Sequence, residues 1–141
     1  MDLWLIFALL SAGSAALVAL FGKLGLQGID SNTATAIRAI VMTIFLVGVV
    51  IVQGKLKDIH AIIINSKAMT FIILSGVAGA LSWLFYFLAL KTGKVSQVAP
   101  IDRLSVVFAI ILALLFLGEK LTFKQGIGAA LIAVGAILLA L

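Results

Sequence analysis

The sequence predicts an all-α membrane protein with five transmembrane helices in one bundle. The chain of 141 residues is 65% hydrophobic and only 11% charged, whereas an ordinary soluble domain is about half apolar and about a quarter charged. The charged residues are grouped between long apolar runs, as expected where lipid is the solvent. Each run has close to the roughly 20 residues that a helix needs to cross the hydrocarbon core.

The apolar runs are predicted to form a single domain over residues 1–141. The sequence contains no internal repeat and no linker long enough to separate domains. The first run is too long for a signal-peptide core and lacks a basic start, so we interpret it as a span. Between the second and third spans, residues 53–67 hold an apolar stretch too short to cross, which we expect at the membrane interface or as a lead-in turn. The predicted spans are residues 3–21, 33–52, 68–90, 96–117 and 122–141.

Composition excludes several classes of function. The net charge is +5, but the lysines lie in short loops without a basic stripe, so we expect no nucleic-acid partner. The absence of cysteine excludes disulfides, thiol nucleophiles and cysteine metal sites. The single histidine, His60, has no second ligand at metal spacing and no serine placed as a nucleophile. We therefore expect no metal, no cofactor and no enzymatic activity.

The second span contains Arg38. An arginine at the centre of a bilayer costs on the order of 2.5–3.5 kcal/mol. Arg38 lies only about five residues, or roughly 8 Å, from the predicted start of its helix. It is therefore either a side chain that snorkels to the interface or a functional residue, and the sequence leaves both interpretations open.

An aromatic cluster lies in the third span, from Ser82 to Phe87. Trp and Tyr often form belts at the membrane interface, but Trp83 lies deeper in the span than a belt requires. Ser82 and Tyr86 are four residues apart and share one helical face. Ser82, Trp83 and Tyr86 are therefore candidate residues of a substrate pathway, with an interfacial belt as the alternative.

The fourth span contains a charged pair, Asp102 and Arg103. Proline fits the first position of a helix, so we predict a helix that opens near Pro100, ends at Gly118 and carries both charges in its first turn. Spans two and four enter the membrane from the same face, so Asp102 can pair with Arg38 and leave Arg103 for an anionic group. Alternatively, Asp102 complements the positive end of its helix, worth about 0.3–1 kcal/mol, and Arg103 snorkels.

Loop lysines give only a weak bias in orientation. With the N-terminus inside, five lysines fall in inside loops and three in outside loops, and the larger number is expected inside. So weak a bias permits both orientations in one membrane, and many transporters consist of two inverted halves with a site between them. An antiparallel homodimer would build such a pair. The inside lysines are Lys55, Lys57, Lys67, Lys120 and Lys124, and the outside lysines are Lys23, Lys91 and Lys94.

Four stretches of the sequence together match the pattern of a known domain. They are Leu84–Lys91, Val98–Ile101, Phe116–Leu121 and the glycine-rich run that contains Gly126, Gly128 and Gly135. The chain resembles the EamA-type domain of the drug/metabolite transporter superfamily over essentially its whole length. In that domain a proline, here Pro100, opens the fourth helix, and Gly-Glu, here Gly118-Glu119, closes it. Arg38 matches an arginine common in the second helix, and we interpret Glu119 as a helix-end and loop residue.

The resemblance implies a secondary transporter, and we expect an exporter, of small metabolites, amino acids or drug-like compounds. It would act by alternating access in the cytoplasmic (inner) membrane of a prokaryote, with the lipid bilayer and a small-molecule substrate as partners. Typical members are ten-helix chains of two inverted domains, so this single domain implies an antiparallel homodimer or a separate second half-transporter. The alternative is a non-transporting membrane subunit or a lipid or metabolite flippase partner. The first helix lacks the glutamate of the four-span multidrug members, so their proton exchange does not carry over. Asp102 and Arg103 are outside the family pattern.

Overall fold

The computed structural model describes residues 2–141, and in this part of the chain all regular secondary structure is α-helical. The Cα positions group into two compact units, residues 2–23 with Thr92–Leu141, and Leu24–Lys91. The single domain inferred from the sequence stays a prediction. The helices are α1 Leu3–Gly25, α2 Ser31–Val52, α3 Leu56–Ile64, α4 Ser66–Thr92, α5 Val95–Asp102, α6 Leu104–Phe116 and α7 Phe123–Ala140.

The predicted class, an all-α protein with five apolar spans, is confirmed. Helices α1, α2, α4 and α7, together with α5 continued by α6, are each long and apolar enough to cross a membrane. Helix α3 has nine residues, or about 14 Å, which is too short to cross. Large apolar side chains are exposed along all five spans, and such a surface requires lipid or a partner chain to cover it.

The fourth span is broken into two helices, and this corrects the predicted helix start. Helix α5 begins at Val95 and contains Pro100 in its interior. Because proline has no N–H, the Ser96 carbonyl lacks the donor that an uninterrupted helix would supply. The Arg103 N–H instead bonds the Pro100 carbonyl at 3.0 Å, which tightens the chain into a turn before α6 begins at Leu104.

Asp102 and Arg103 therefore lie at a junction between helices and not in a first turn. Asp102 is the last residue of α5 and is half-buried, and Arg103 is the exposed residue between the two helices. The junction lies about 12 Å along the span from its start at Val95. The charged pair was expected near the start of the span because a proline that opens a helix and a proline inside one look alike in sequence.

In the unit that contains both chain termini, α5 and α6 pack on α7. The Gln97 side-chain amide donates to the Ala140 carbonyl at 3.3 Å, which supplies a partner to one of the carbonyls that a helix C-terminus leaves unpaired. Helix α7 begins with a capping box, in which Thr122 and Gln125 each bond the other's backbone N–H. Such a box satisfies two donors at the helix start.

The predicted motif residues of this unit lie after the end of α6, for Gly118 and Glu119, and within α7, for Gly126 and Gly128. Gly118 adopts φ +66, a left-handed conformation that favours glycine, and it reverses the chain after α6. The Glu119 N–H then returns to the Ala113 carbonyl at 3.3 Å, while the Glu119 side chain is exposed. Gly126 and Gly128 are half-buried on α7, and a Cβ at Gly126 would make ordinary contact with Leu121.

The second unit holds α2, α3 and α4. Its buried apolar side chains are Leu26, Phe87 and Leu90, with Leu90 fully covered. Asp30 caps α2 by accepting bonds from the backbone N–H and the hydroxyl of Thr33, both at 2.8 Å. These bonds, the backbone one first, lower the pKa of the Asp30 carboxyl below its ordinary value. The carboxylate is thus held ionised at the positive end of α2.

Candidate functional site

The candidate site is built around Arg38 on α2. Arg38 follows the first helical residue, Ser31, by seven positions, which places it about 10 Å along the helix. That position is inside a membrane-spanning segment, where ionisable residues are rare and usually functional.

The Arg38 guanidinium lies between two aromatic rings of α4. Its central carbon is 3.8 Å from the centroid of the Trp83 ring and 3.7 Å from that of Phe87. Trp83 and Phe87 are four residues apart, so they project from one face of the helix. Their ring centroids are 6.4 Å apart and their planes are inclined by 75°. We call this arrangement of Arg38, Trp83 and Phe87 the Arg38 notch.

Cation–π attraction holds the charge in the notch. Both rings are well inside the roughly 6 Å over which the attraction acts, and each contact is worth about 0.5–1 kcal/mol when exposed and about 2 kcal/mol when desolvated. Phe87 is only 3% exposed, so at least that contact is shielded from solvent. The notch therefore joins the two membrane-spanning helices α2 and α4.

The hydrogen-bonding groups of Arg38 are unused. All three guanidinium nitrogens are buried and have no hydrogen-bond partner among residues 2–141. The side chain thus does not extend its charged end to solvent, as the snorkelling interpretation requires. A guanidinium carries five N–H donors, and burying them without acceptors is costly. The guanidinium therefore lacks acceptors within the part of the chain that the structure describes.

The structure brings together some of the predicted site residues. Trp83 contacts Arg38 directly. The Tyr86 ring packs edge-on against Phe87, with centroids 5.3 Å apart. Ser82 is exposed although it was grouped with Tyr86. Asp102 belongs to the other compact unit, and its pairing with Arg38 stays a prediction, as does the anion-binding role of Arg103.

Two residues of this region were missed in the sequence. Phe87 was overlooked because Ser82 and Tyr86 were paired at the same four-residue spacing, although Trp83 and Phe87 have that spacing too. Ser31 lies outside the predicted second span, residues 33–52, but it is the first residue of α2 and only 1% exposed. Its hydroxyl also has no hydrogen-bond partner within residues 2–141. Seven residues are close to two full helical turns, so Ser31 and Arg38 share one face of α2.

A cavity lies in the unit that contains both termini. This cavity of about 410 Å³ between α6 and α7 is lined mainly by apolar side chains, including Ala109, Ala113 and Leu114. Glu119, Lys120 and Gln125 also line it. None of its lining residues has a buried polar group without a hydrogen-bond partner. The cavity therefore has no unpaired donor like those of Arg38.

Five helices that are long and apolar enough to cross a membrane define a multi-pass membrane protein. The chain belongs to the EamA-like transporter family, whose model matches residues 2–141. The resemblance found in the sequence is thereby confirmed.

Two relatives bear on this assignment. The chain is 44% identical over 137 residues to the "uncharacterized transporter in cobO 3' region" of a Sinorhizobium species, an alignment that covers 97% of this chain and 96% of that protein. It is 38% identical over 86 residues to an uncharacterized protein of Methanocaldococcus jannaschii, covering 61% of this chain and 63% of that protein. No solved structure matches the chain significantly.

Proposed function

We propose that the protein is a secondary transporter that exports small organic solutes, such as metabolites, amino acids or drug-like compounds. It acts by alternating access in the cytoplasmic membrane of a prokaryote and carries out no chemical reaction. The observation that carries this proposal is the Arg38 notch. An arginine inside a membrane span whose donors lack acceptors is explained if the transported solute supplies the missing acceptor during its passage.

The transporting unit is an antiparallel homodimer that supplies ten spans. Two considerations support this. The relative named as a transporter aligns over 96% of its own length with this single domain, and the loop lysines favour one orientation only weakly. Two inverted copies would place two Arg38 notches around a two-fold axis in the membrane plane, which corresponds to the pseudo-two-fold axis that relates the halves of inverted-repeat transporters.

Flux in proteoliposomes tests the transport activity. Purified protein is reconstituted, and exchange of labelled amino acids and aromatic acids across the membrane is compared with protein-free vesicles. We expect solute flux that saturates with concentration and falls when Arg38 is replaced by glutamine. Absence of flux for every solute would favour the alternative, a non-transporting subunit of a larger membrane assembly.

Topology tests the dimer. Because the chain has no cysteine, a single cysteine placed at Lys57, or added after Leu141, is the sole site for a membrane-impermeant thiol reagent. In intact cells and in inverted vesicles we expect each site to react from both sides, as dual insertion requires. Labelling from one side only would refute the antiparallel homodimer and favour a separately encoded partner half.

A further inference from the structure

The unused donors of the Arg38 notch define the chemistry of its ligand. Trp83 and Phe87 attract the guanidinium charge through their ring faces, but ring faces do not replace the hydrogen-bond acceptors that five N–H groups require. The buried nitrogens therefore need oxygen or nitrogen acceptors from elsewhere. Because the group carries a full positive charge in an apolar setting, a negatively charged acceptor also offsets part of the electrostatic cost of burying that charge.

Oxyanions match this demand best. A guanidinium presents its donors in a planar fork, which pairs with a carboxylate or a phosphate through two parallel hydrogen bonds. A neutral amide or carbonyl satisfies one donor and leaves the charge uncompensated. A cationic ligand is repelled.

We propose that the Arg38 notch binds the carboxylate or phosphate group of the transported solute, so that the substrates are small organic anions or zwitterions. This inference rests on the proposed transport function and names its substrate class. The Ser31 hydroxyl is the other buried side-chain group without a partner in residues 2–141. It lies about 10 Å from Arg38 along the same face of α2.

Two other sources offer the same chemistry. The phosphate of a lipid headgroup is an oxyanion at the membrane surface, and the Asp102 carboxylate is an oxyanion of the protein itself. A test must therefore separate a free anion, a lipid and an internal carboxylate. It must also report on the notch without requiring transport.

Trp83 is a built-in reporter because its ring touches the guanidinium. The chain has two tryptophans, and replacing the exposed Trp4 by phenylalanine leaves Trp83 as the sole indole. The Trp4→Phe protein is kept in dodecyl maltoside, a detergent without phosphate, and titrated with benzoate, benzamide and inorganic phosphate. Benzoate and benzamide have the same ring and nearly the same size, and they differ in charge.

We expect a saturable change in Trp83 fluorescence with benzoate or phosphate and none with benzamide. Adding Arg38→Gln should abolish the change. Arg38→Lys keeps the charge but loses the fork, so the apparent Kd should rise by roughly 10- to 100-fold, as expected for the loss of a hydrogen bond between charged groups. Lys57→Gln, which removes the charge of an exposed lysine outside the candidate site, is the control and should bind like the parent.

Three outcomes would overturn the inference. They are no saturable response to either anion, an equal response to benzamide, and a response that survives Arg38→Gln. A response to added phosphatidylglycerol alone would assign the notch to lipid headgroups. A benzoate response that appears only with Asp102→Asn would assign the acceptor to the protein's own carboxylate. Either result also refutes solute binding. Because the readout is binding in detergent, flux of neutral solutes without anion binding would refute this inference alone, and anion binding without flux would refute only transport.

Discussion

Replacing Arg38 by methionine should stabilise the protein while removing its binding site. In the folded protein the guanidinium nitrogens are buried without acceptors, whereas in the unfolded chain they reach water. Leaving buried charged donors unsatisfied costs on the order of 4 kcal/mol, more than for neutral groups, and the shielded Phe87 contact at about 2 kcal/mol and the Trp83 contact at about 1 kcal/mol together offset about 3 kcal/mol of it. Methionine fills a similar volume and carries no charge. The free energy of unfolding should therefore rise by about 1 kcal/mol.

Thermal unfolding in detergent, followed by helical circular dichroism, measures this change. For a chain of this size about 1 kcal/mol corresponds to a rise of roughly 4 °C in Tm. Arg103→Met is the matched control, because Arg103 is exposed between α5 and α6. A substitution at such a surface position should change the free energy of unfolding by no more than about 0.5 kcal/mol.

The opposite sign would refute the reasoning. If Arg38→Met lowers the free energy of unfolding by more than about 1 kcal/mol while Arg103→Met does not, the guanidinium has a hydrogen-bond acceptor in the folded protein. The notch would then be a structural element. A saturating anion should reverse the order of the two proteins, because only the parent gains stability from the ligand.

Three further predictions concern single side chains. Trp83→Ala removes one ring from Arg38 and should weaken benzoate binding by about 3- to 30-fold, the equivalent of about 0.7–2 kcal/mol, with unchanged helical content. Calorimetric titration measures this loss of affinity, and an equal loss in Trp4→Ala would contradict the prediction. Thr122→Ala removes the cap of α7 and should lower the free energy of unfolding by about 0.5–2 kcal/mol, so an unchanged Tm would count against the observed capping box. Asp30→Ala should lower Tm at neutral pH. The pKa of Asp30 is lowered in the folded state, so the stabilisation is present above the unfolded-state pKa of about 3.9 and is lost as pH falls through the folded-state pKa. A difference in Tm between the parent and Asp30→Ala that persists at lower pH would exclude the carboxylate as its source.

The spans could be predicted because lipid requires long apolar helices, and that requirement is visible in composition. The packing between spans could not be predicted in the same way. A helix that is apolar on all sides has no hydrophobic face to indicate which side meets a neighbour. The contact of Arg38 with Trp83 and Phe87 therefore became visible only in the structure, even though both rings and their spacing were present in the sequence.

The charged pair shows a second limit. Pro100 fits a helix start and also fits the interior of a helix that is about to break, since both arrangements tolerate its missing N–H in different ways. The choice depends on whether Val95–Ala99 form a helical turn before the proline. The residues Val95–Ala99 have no strong preference of their own. Tertiary contacts, such as the hydrogen bond from Gln97 to the last turn of α7, therefore decide whether they are helical.

The interruption at Arg103 gives the fourth span a joint. A straight rod of this length tilts only as a whole, and any movement at one membrane surface is transmitted to the other. Here α5 and α6 are two segments of about 12 Å and about 20 Å that meet at Arg103, which lies between the two helices with right-handed backbone angles. A rotation about the Arg103 backbone would move one segment relative to the other, as hinge residues in other proteins do. Either end of the span can thus move while the other end keeps its contacts with α7.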